Sequence, residues 1–276
     1  MGDGNGTSGV SSLSLIGSYQ LGRVFGGIHF HRSSRSTVAG RETITKTLRR
    51  DAAILIPLAN LCLRWQGAGT CVLSLERWQE RELAVSRLQP WRGATVCPRG
   101  IHMPCWPGTT LDDYLSREQS ESGRRRAIRT AWGALRELHA LAGPSGEGMF
   151  AEGFSHADAT TRNVMYDGDS GRAVWIDFDM CHEPRRPVLW RQADDARAFL
   201  YSVARRISAE AVEAVVGECL GDASSGELSG MLRTVIVAAA ERPLSFHMAQ
   251  HRLSPGPFRE VTARLLAGLD ATGMPR

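Results

Sequence analysis

"GFSHADATTRNVMYDGDSGRAVWIDFDMC" (Gly153–Cys181) concentrates the polar chemistry of this chain. His156, Asp158, Asn163, Asp177 and Asp179 fall within it, beside the apolar, strand-like run Ala173-Val174-Trp175-Ile176. Carboxylates this close repel one another unless positive charge sits between them. A magnesium ion with a nucleotide's phosphates supplies that charge, because it takes hard oxygen ligands from one or two carboxylates and from the phosphates together. The order His156-x-Asp158-x4-Asn163, with Ile176-Asp177-Phe178 thirteen residues later, is what phosphoryl transfer needs. One carboxylate orients the attacking hydroxyl and accepts its proton. A second, with an amide oxygen, holds metal against phosphate. The bland alternative, a polar turn between two strands, requires neither the asparagine nor two aspartates.

Outward from that stretch the chain divides into a small β-rich half, an extended connector near 101–108 and a larger helical half. From Leu13 to about Thr47, turns at Gly17, Gly26–Gly27 and Ala39–Gly40 separate strand-like segments, "SLIGSYQLGRVFGGIHFHR" and "RETITKTLRR", of an antiparallel sheet. "DAAILIPLANLCLRW" reads equally as a helix or a buried strand. "TCVLSL" reads as a short strand, and "ERWQERELAVSRLQ" as a helix stopped by Pro90. "GIHMPCWPGTTLDDYL" predicts an extended segment, a turn and a helix capped at Thr109 or Thr110. In "RRRAIRTAWGALRELHAL" the residues Ile128, Ala131, Trp132, Leu135, Leu138 and Leu141 share one helical face. Helices are also expected for "QADDARAFLYSVARRI", "AEAVEAVVGECL", "LSGMLRTVIVAAA" and "REVTARLLAGL". The fold class expected is α+β.

"HADATTRNV…WIDFD" resembles the catalytic and metal loops of the protein-kinase-like fold, in the variant of aminoglycoside phosphotransferases and lipopolysaccharide-type sugar kinases. Those relatives often carry DFD where protein kinases have DFG, and this chain has Asp177-Phe178-Asp179. The resemblance implies Asp158 as catalytic base, His156 as the brace of its loop, and Asn163, Asp177 and Asp179 around magnesium. The stretch 1–12 reads as a flexible tail, and the resemblance implies two lobes. Residues 13–103 form a small antiparallel sheet with one helix, covering the nucleotide, and residues 104–276 form a larger, mostly helical lobe.

By the same resemblance Lys46, in "TITKT", is the strand lysine that contacts the phosphates of ATP or GTP. Glu82 is its helix partner, with Glu80 the alternative, across a gap of 36 residues that is longer than usual in the family. In a second register Leu61–Trp65 is the strand and Arg64 replaces the lysine. "MPCWPGTTLDDYL" resembles the hinge that reads adenine, which points to Met103 and Cys105, with Asp112 or Asp113 toward the ribose. Asp194–Asp195 resembles the buried helix aspartate that fixes the catalytic loop. The phosphate loop departs from G-x-G-x-x-G: "LGRVFGGIHF" offers Gly22, Gly26 and Gly27, which suit a turn as well.

The bulk properties are those of a globular enzyme. A chain of 276 residues buries a full core. A net charge of +4 is too mild to argue for a nucleic-acid partner, and Arg124–Arg126 reads as a solvated helix face. Lys46 is the single lysine among 33 basic residues, a compact point charge in a chain that otherwise uses arginine. Six cysteines show no C-x-x-C pair, which fits reduced thiols in a cytoplasmic protein rather than zinc or a disulfide framework. No apolar run reaches a membrane span, and "MGDGNGTSGVSS" lacks the form of a secretion signal.

The acceptor is constrained by what the sequence leaves out. Only 16 residues separate Asp177 from Asp194, and no Ala-Pro-Glu follows, which argues against an ordinary protein kinase. About 45 residues from hinge to catalytic loop leave room for little beyond one long helix. The expected acceptor is the hydroxyl of a natural product or of Ser/Thr in a biosynthetic precursor peptide, at a site that is small or completed by a partner enzyme. Two other readings are an antibiotic-inactivating kinase and a pseudokinase that binds nucleotide and scaffolds a partner.

Overall fold

The computed structural model describes residues 30–38, 40–89, 92–141, 153–221, 226–241 and 245–272. The expected tail over 1–12 and the glycines Gly22, Gly26 and Gly27 lie outside the described residues. The fold is α+β. Strands β1 (His31–Val38) and β2 (Arg41–Leu48) form an antiparallel hairpin in which His31 faces Leu48 and Val38 faces Arg41. β2 also pairs with β5 (Gly100–Pro104), which pairs with β4 (Thr95–Cys97), giving the sheet order β1-β2-β5-β4. Lys46 stands opposite Ile101 in that sheet.

Between β2 and the rest of the sheet come two helices. The ambiguous apolar run is helix α1 (Ala52–Gln66), stopped by Gly67 in the left-handed conformation at φ 69°. Ala52, Ile56, Ala59 and Leu63, at helical spacing, pack on Ala68, Val72 and Met180. The outward face is apolar too: Ile54, Leu58, Leu61 and Trp65 are exposed. The strand reading of Leu61–Trp65 is overturned, since those residues are the last turns of α1 and Arg64 is exposed on it. Arg64 therefore does not replace Lys46. Helix α2 (Leu75–Leu88) begins after Ser74 and buries Trp78, Arg81, Glu82 and Val85 against the sheet and the central core.

The short strand β3 (Thr70–Val72) pairs with β9 (Met180–His182). A three-stranded sheet of β6 (Thr109–Thr110), β7 (Val164–Asp167) and β8 (Arg172–Trp175) carries the quoted stretch. Helix α3 (Leu111–Arg117) starts at Thr110, whose hydroxyl accepts from the Asp113 N–H at 3.1 Å, as the capping pattern predicts. Helix α4 (Glu121–His139) buries Ile128, Ala131, Trp132, Leu135 and Leu138, with Leu141 partly buried beyond its end. Helices α5 (Val188–Ala204), α6 (Ala209–Leu220), α7 (Gly226–Glu241), α8 (Ser245–Gln250) and α9 (Pro255–Ala271) complete the chain. α5 runs through the middle of this helical region. Phe199 and Tyr201 are wholly buried on it, and the phenylalanine contributes about 1.5–3 kcal/mol by leaving water. No helix among the described residues is long and apolar enough to cross a membrane.

Candidate functional site

Strand β2 carries Lys46 into the protein, where its ammonium forms an ion pair with Asp177 and lies 4.0 Å from Asp179 Oδ2. Burial works against that charge, but the two carboxylates outweigh it and raise the lysine's pKa. Burial and the adjacent Asp179 push Asp177 up against the pull of Lys46. Burial opposes ionisation of Asp179 as well, yet Lys46 and His31 hold it well below the usual carboxylate range. His31, from the start of β1, places Nδ1 3.1 Å from Asp179 Oδ2, with its ring centroid 4.1 Å from that of Trp78. The buried Nε2 of His31 has no partner among the described residues.

Glu82 is the buried carboxylate of α2, and Glu80 is exposed. Its Oε1 accepts from the Phe178 N–H at 3.3 Å and the Trp78 indole at 3.4 Å. The expected direct pairing of Lys46 with Glu82 is replaced by the Lys46–Asp177 pair, with Glu82 within electrostatic reach of the ammonium. Two acidic neighbours, Asp177 and Asp179, attract the cation more strongly than a carboxylate already accepting two hydrogen bonds.

The Asp158 loop is held from below. Asp195, wholly buried on α5, accepts from the backbone N–H of His156 at 2.6 Å and of Ala157 at 2.7 Å. Its Oδ2 also meets His139 Nε2 at 2.9 Å. His156 is buried and its pKa is pushed down to about 4 by desolvation, so the imidazole is neutral at pH 7. A neutral ring has one donor and one acceptor. Nε2 donates to the Ile176 carbonyl at 3.0 Å, and Nδ1 accepts from the Asp158 N–H at 3.3 Å. His156 thereby ties the Asp158 loop to the Asp177 loop. Ala157 and Asp177 both have left-handed φ, 71° and 70°. Non-glycine residues adopt this conformation only where surrounding contacts over-determine it, and such strain clusters at functional sites.

Asp158 itself is half-buried. Burial raises its pKa, opposed by Gln250 and Arg162, while the charges of Asp179 and Asp177 raise it further. The Asn163 amide donates to the Asp158 carbonyl at 2.8 Å and to Oδ2 at 2.7 Å. Both amide hydrogens are therefore committed, and the Asn163 oxygen is the atom left to face a cation. Gln250, at the end of α8, donates from Nε2 to Asp158 Oδ1 at 2.6 Å, and its backbone carbonyl accepts from Arg162 at 2.6 Å. Nothing local in the sequence marks Gln250 or His31. Both reach the site only through packing.

Beneath the loop, Ser155 Oγ lies 2.9 Å from His182 Nδ1, and His182 Nε2 lies 3.1 Å from Asp194 Oδ2, which also accepts from Arg197 through Oδ1 at 2.8 Å. This Ser-His-Asp order is not a nucleophilic site. All three side chains are at most 5% exposed, so no substrate reaches the serine, and Asp194 acts as a brace.

The hinge candidates are placed as follows. Met103 pairs with Ile44 across β2 and β5, and the Cys105 N–H donates to the Glu42 carbonyl at 3.0 Å. Asp112 is committed to Arg206, to Arg205 at 3.3 Å and to the Thr161 hydroxyl at 3.0 Å, fastening α3 to the Asp158 loop. Asp113 is exposed and accepts from Thr110 at 2.8 Å. Among the described residues, no group of three or more His, Cys, Asp or Glu side chains is arranged to hold a metal ion. Two carboxylates stand beside Lys46, and Asn163 lies on the adjoining loop, where its backbone carbonyl accepts from the Ile176 N–H at 2.8 Å. Carboxylate and amide oxygens are the hard donors magnesium shares with phosphates.

No protein-family model and no curated protein matches the chain. The functional reading therefore rests on the geometry of the site.

Proposed function

We propose that this chain is a magnesium-dependent phosphotransferase of protein-kinase-like, two-lobed architecture that moves the γ-phosphate of ATP or GTP to an alcohol. The observation that supports it is one convergence. Lys46 from β2, Asp177 and Asp179 ahead of β9, and the Asp158–Asn163 loop meet, although the lysine lies 131 positions from its aspartate. Lys46 offers the phosphates a compact positive charge. Asn163, Asp177 and Asp179 would hold magnesium, which when bound neutralises the charge on the phosphates. Asp158 takes the proton of the attacking hydroxyl, and His156 and Asp195 keep its loop in place. The acceptor proposed is a natural-product hydroxyl or a Ser/Thr of a precursor peptide. The short stretch of about 45 residues between hinge and catalytic loop supports an acceptor site that is small or completed by a partner enzyme.

Thermal melting with nucleotide tests the reading. MgATP or MgGTP at 100 times its Kd should stabilise the protein by about 2.7 kcal/mol, and the shift should need magnesium. Absence of any shift with both nucleotides at millimolar concentration sinks the proposal. The departure of Gly22, Gly26 and Gly27 from G-x-G-x-x-G favours a second reading, a module that binds nucleotide without turnover. Release of labelled phosphate or of phosphorylated acceptor separates the two.

A further inference from the structure

We propose that Cys71 and Cys181 form a redox-modification site, a dithiol that closes to an intramolecular disulfide by exchange with a low-molecular-weight disulfide such as glutathione disulfide. The pair joins two strands far apart in the chain. Cys71 in β3 and Cys181 in β9 are direct cross-strand partners, and their Sγ atoms are 3.3 Å apart. Directly opposed residues of an antiparallel pair have Cα atoms about 4.5–5.5 Å apart. That spacing lies within the range of about 4.4–6.8 Å that disulfides use. Closing the bond therefore asks for a small approach of the two sulfurs and no rearrangement of the strands.

The neighbourhood suits exchange. Both cysteines are partly exposed, as exchange with a small disulfide requires, whereas Cys219 is buried. The ladder around them is held on both sides, by the Leu73 N–H on the Asp179 carbonyl at 2.8 Å and by the Glu183 N–H on the Gly69 carbonyl at 2.8 Å. Arg81, 4% exposed, lies within electrostatic reach of both sulfurs and has an Nε without a hydrogen-bond partner among the described residues.

The chemistry balances in two exchanges. One cysteine loses its proton and its thiolate attacks a sulfur of glutathione disulfide. The S–S bond breaks, a protein–glutathione mixed disulfide forms, and one glutathione thiolate leaves. The second cysteine loses its proton, attacks the protein sulfur of that mixed disulfide, and expels the second glutathione. The cysteine pair is oxidised by two electrons, and glutathione disulfide is reduced to two glutathione thiols. The new bond joins β3 to β9 two residues beyond Asp179, so it cross-links the strand that leaves the candidate metal loop.

The test uses the full chain and does not depend on any nucleotide activity. The reduced protein is incubated with glutathione disulfide, its free thiols are counted, and a non-reducing digest is read by mass spectrometry. The expected result is loss of two of the six thiols, a linked peptide pair containing Cys71 and Cys181, and full reversal by dithiothreitol. Cys71→Ser should stop at a single glutathione adduct on Cys181, and Cys181→Ser at one on Cys71. A wild-type protein that keeps both thiols, or forms its disulfide through other cysteines, overturns the proposal. So does a wild type that accumulates the same stable mixed disulfide as the single variants. The wild-type measurement stands even if a serine variant does not fold.

Discussion

Lys46 and Asp177 form an ion pair between residues 131 positions apart, and a second carboxylate, Asp179, lies 4.0 Å from the same ammonium. Lys46→Ala leaves two neighbouring carboxylates without their cation. It is expected to lower stability by about 1–3 kcal/mol and nucleotide affinity by at least about tenfold. Lys46→Arg keeps the charge but replaces a compact ammonium with a planar fork in a site where the side chain is 9% exposed. Isothermal titration with MgATP should show the arginine variant weakened as well. Unchanged affinity in Lys46→Arg would place the phosphates away from this lysine.

Asp158 and Asp177 should separate cleanly. Asp158→Asn removes the proton acceptor but keeps one oxygen for the Asn163 amide, with the new amide group turned to Gln250, whose own amide can rotate to accept. Transfer should therefore fall by roughly two to four orders of magnitude with a much smaller change in binding. Asp177→Asn acts on the metal and on Lys46, so binding itself should weaken. Parallel measurement of nucleotide Kd and turnover decides. Equal binding losses in the two variants contradict the division of roles.

Gln250 is expected to be a positioning residue for Asp158. Its amide can donate to Asp158 Oδ1 while its oxygen faces Arg197 Nη2 at 3.5 Å. A carboxylate in its place cannot donate to Asp158, and it sets a second negative charge beside it. Gln250→Glu should therefore move the acidic limb of the turnover profile to higher pH, while Gln250→Met should lower turnover with little change in nucleotide Kd. A pH profile that superimposes on wild type in Gln250→Glu speaks against the assignment.

Asp195→Asn tests the support of the loop. The aspartate accepts three hydrogen bonds, from the N–H groups of His156 and Ala157 and from His139. An amide turns one acceptor into a donor that faces a donor. The expected loss is on the order of 1–3 kcal/mol, read from urea unfolding at pH 7. Wild-type stability in the variant would mean that the strained φ at Ala157 is held by other contacts.

Acidification should destabilise the fold through its buried histidines. Burial holds His156 down to about 4 and His247 to about 3. The unfolded chain takes up these protons near pH 6.5 and the folded chain does not. The stabilising contribution is therefore complete above about pH 6.5 and is lost as pH falls toward those values. His156 alone accounts for roughly 3 kcal/mol over that interval. Urea midpoints at pH 7 and pH 4.5 should differ accordingly, and His247→Gln should flatten the slope.

Much of the architecture was legible because it is encoded by near neighbours. The 3.6-residue spacing of Ile128, Ala131, Trp132, Leu135 and Leu138 predicts the buried face of α4, and the pair Thr109–Thr110 announces the start of α3, with Thr110 the cap in the structure. The apolar run over 52–66 was not decidable from its own residues. Short apolar runs carry no period that separates helix from strand. The left-handed Gly67 and the packing of Ala52, Ile56, Ala59 and Leu63 on Val72 and Met180 settle it, and with it the position of Arg64.

The site divides along the same line. Asp158, Asn163, Asp177 and Asp179 could be picked out from the sequence by itself, because they lie on one stretch whose spacing is set by two short loops and the paired strands β7 and β8. Which cation meets them, and which amide meets Asp158, was decided only by the tertiary structure. His31, Lys46 and Gln250 arrive from β1, β2 and α8, and no local propensity links those elements to the loop. The partnership of Cys71 with Cys181 likewise follows from the register of β3 on β9. Loops and caps obey sterics over a few residues, whereas contacts across more than a hundred positions exist only once the whole core has packed.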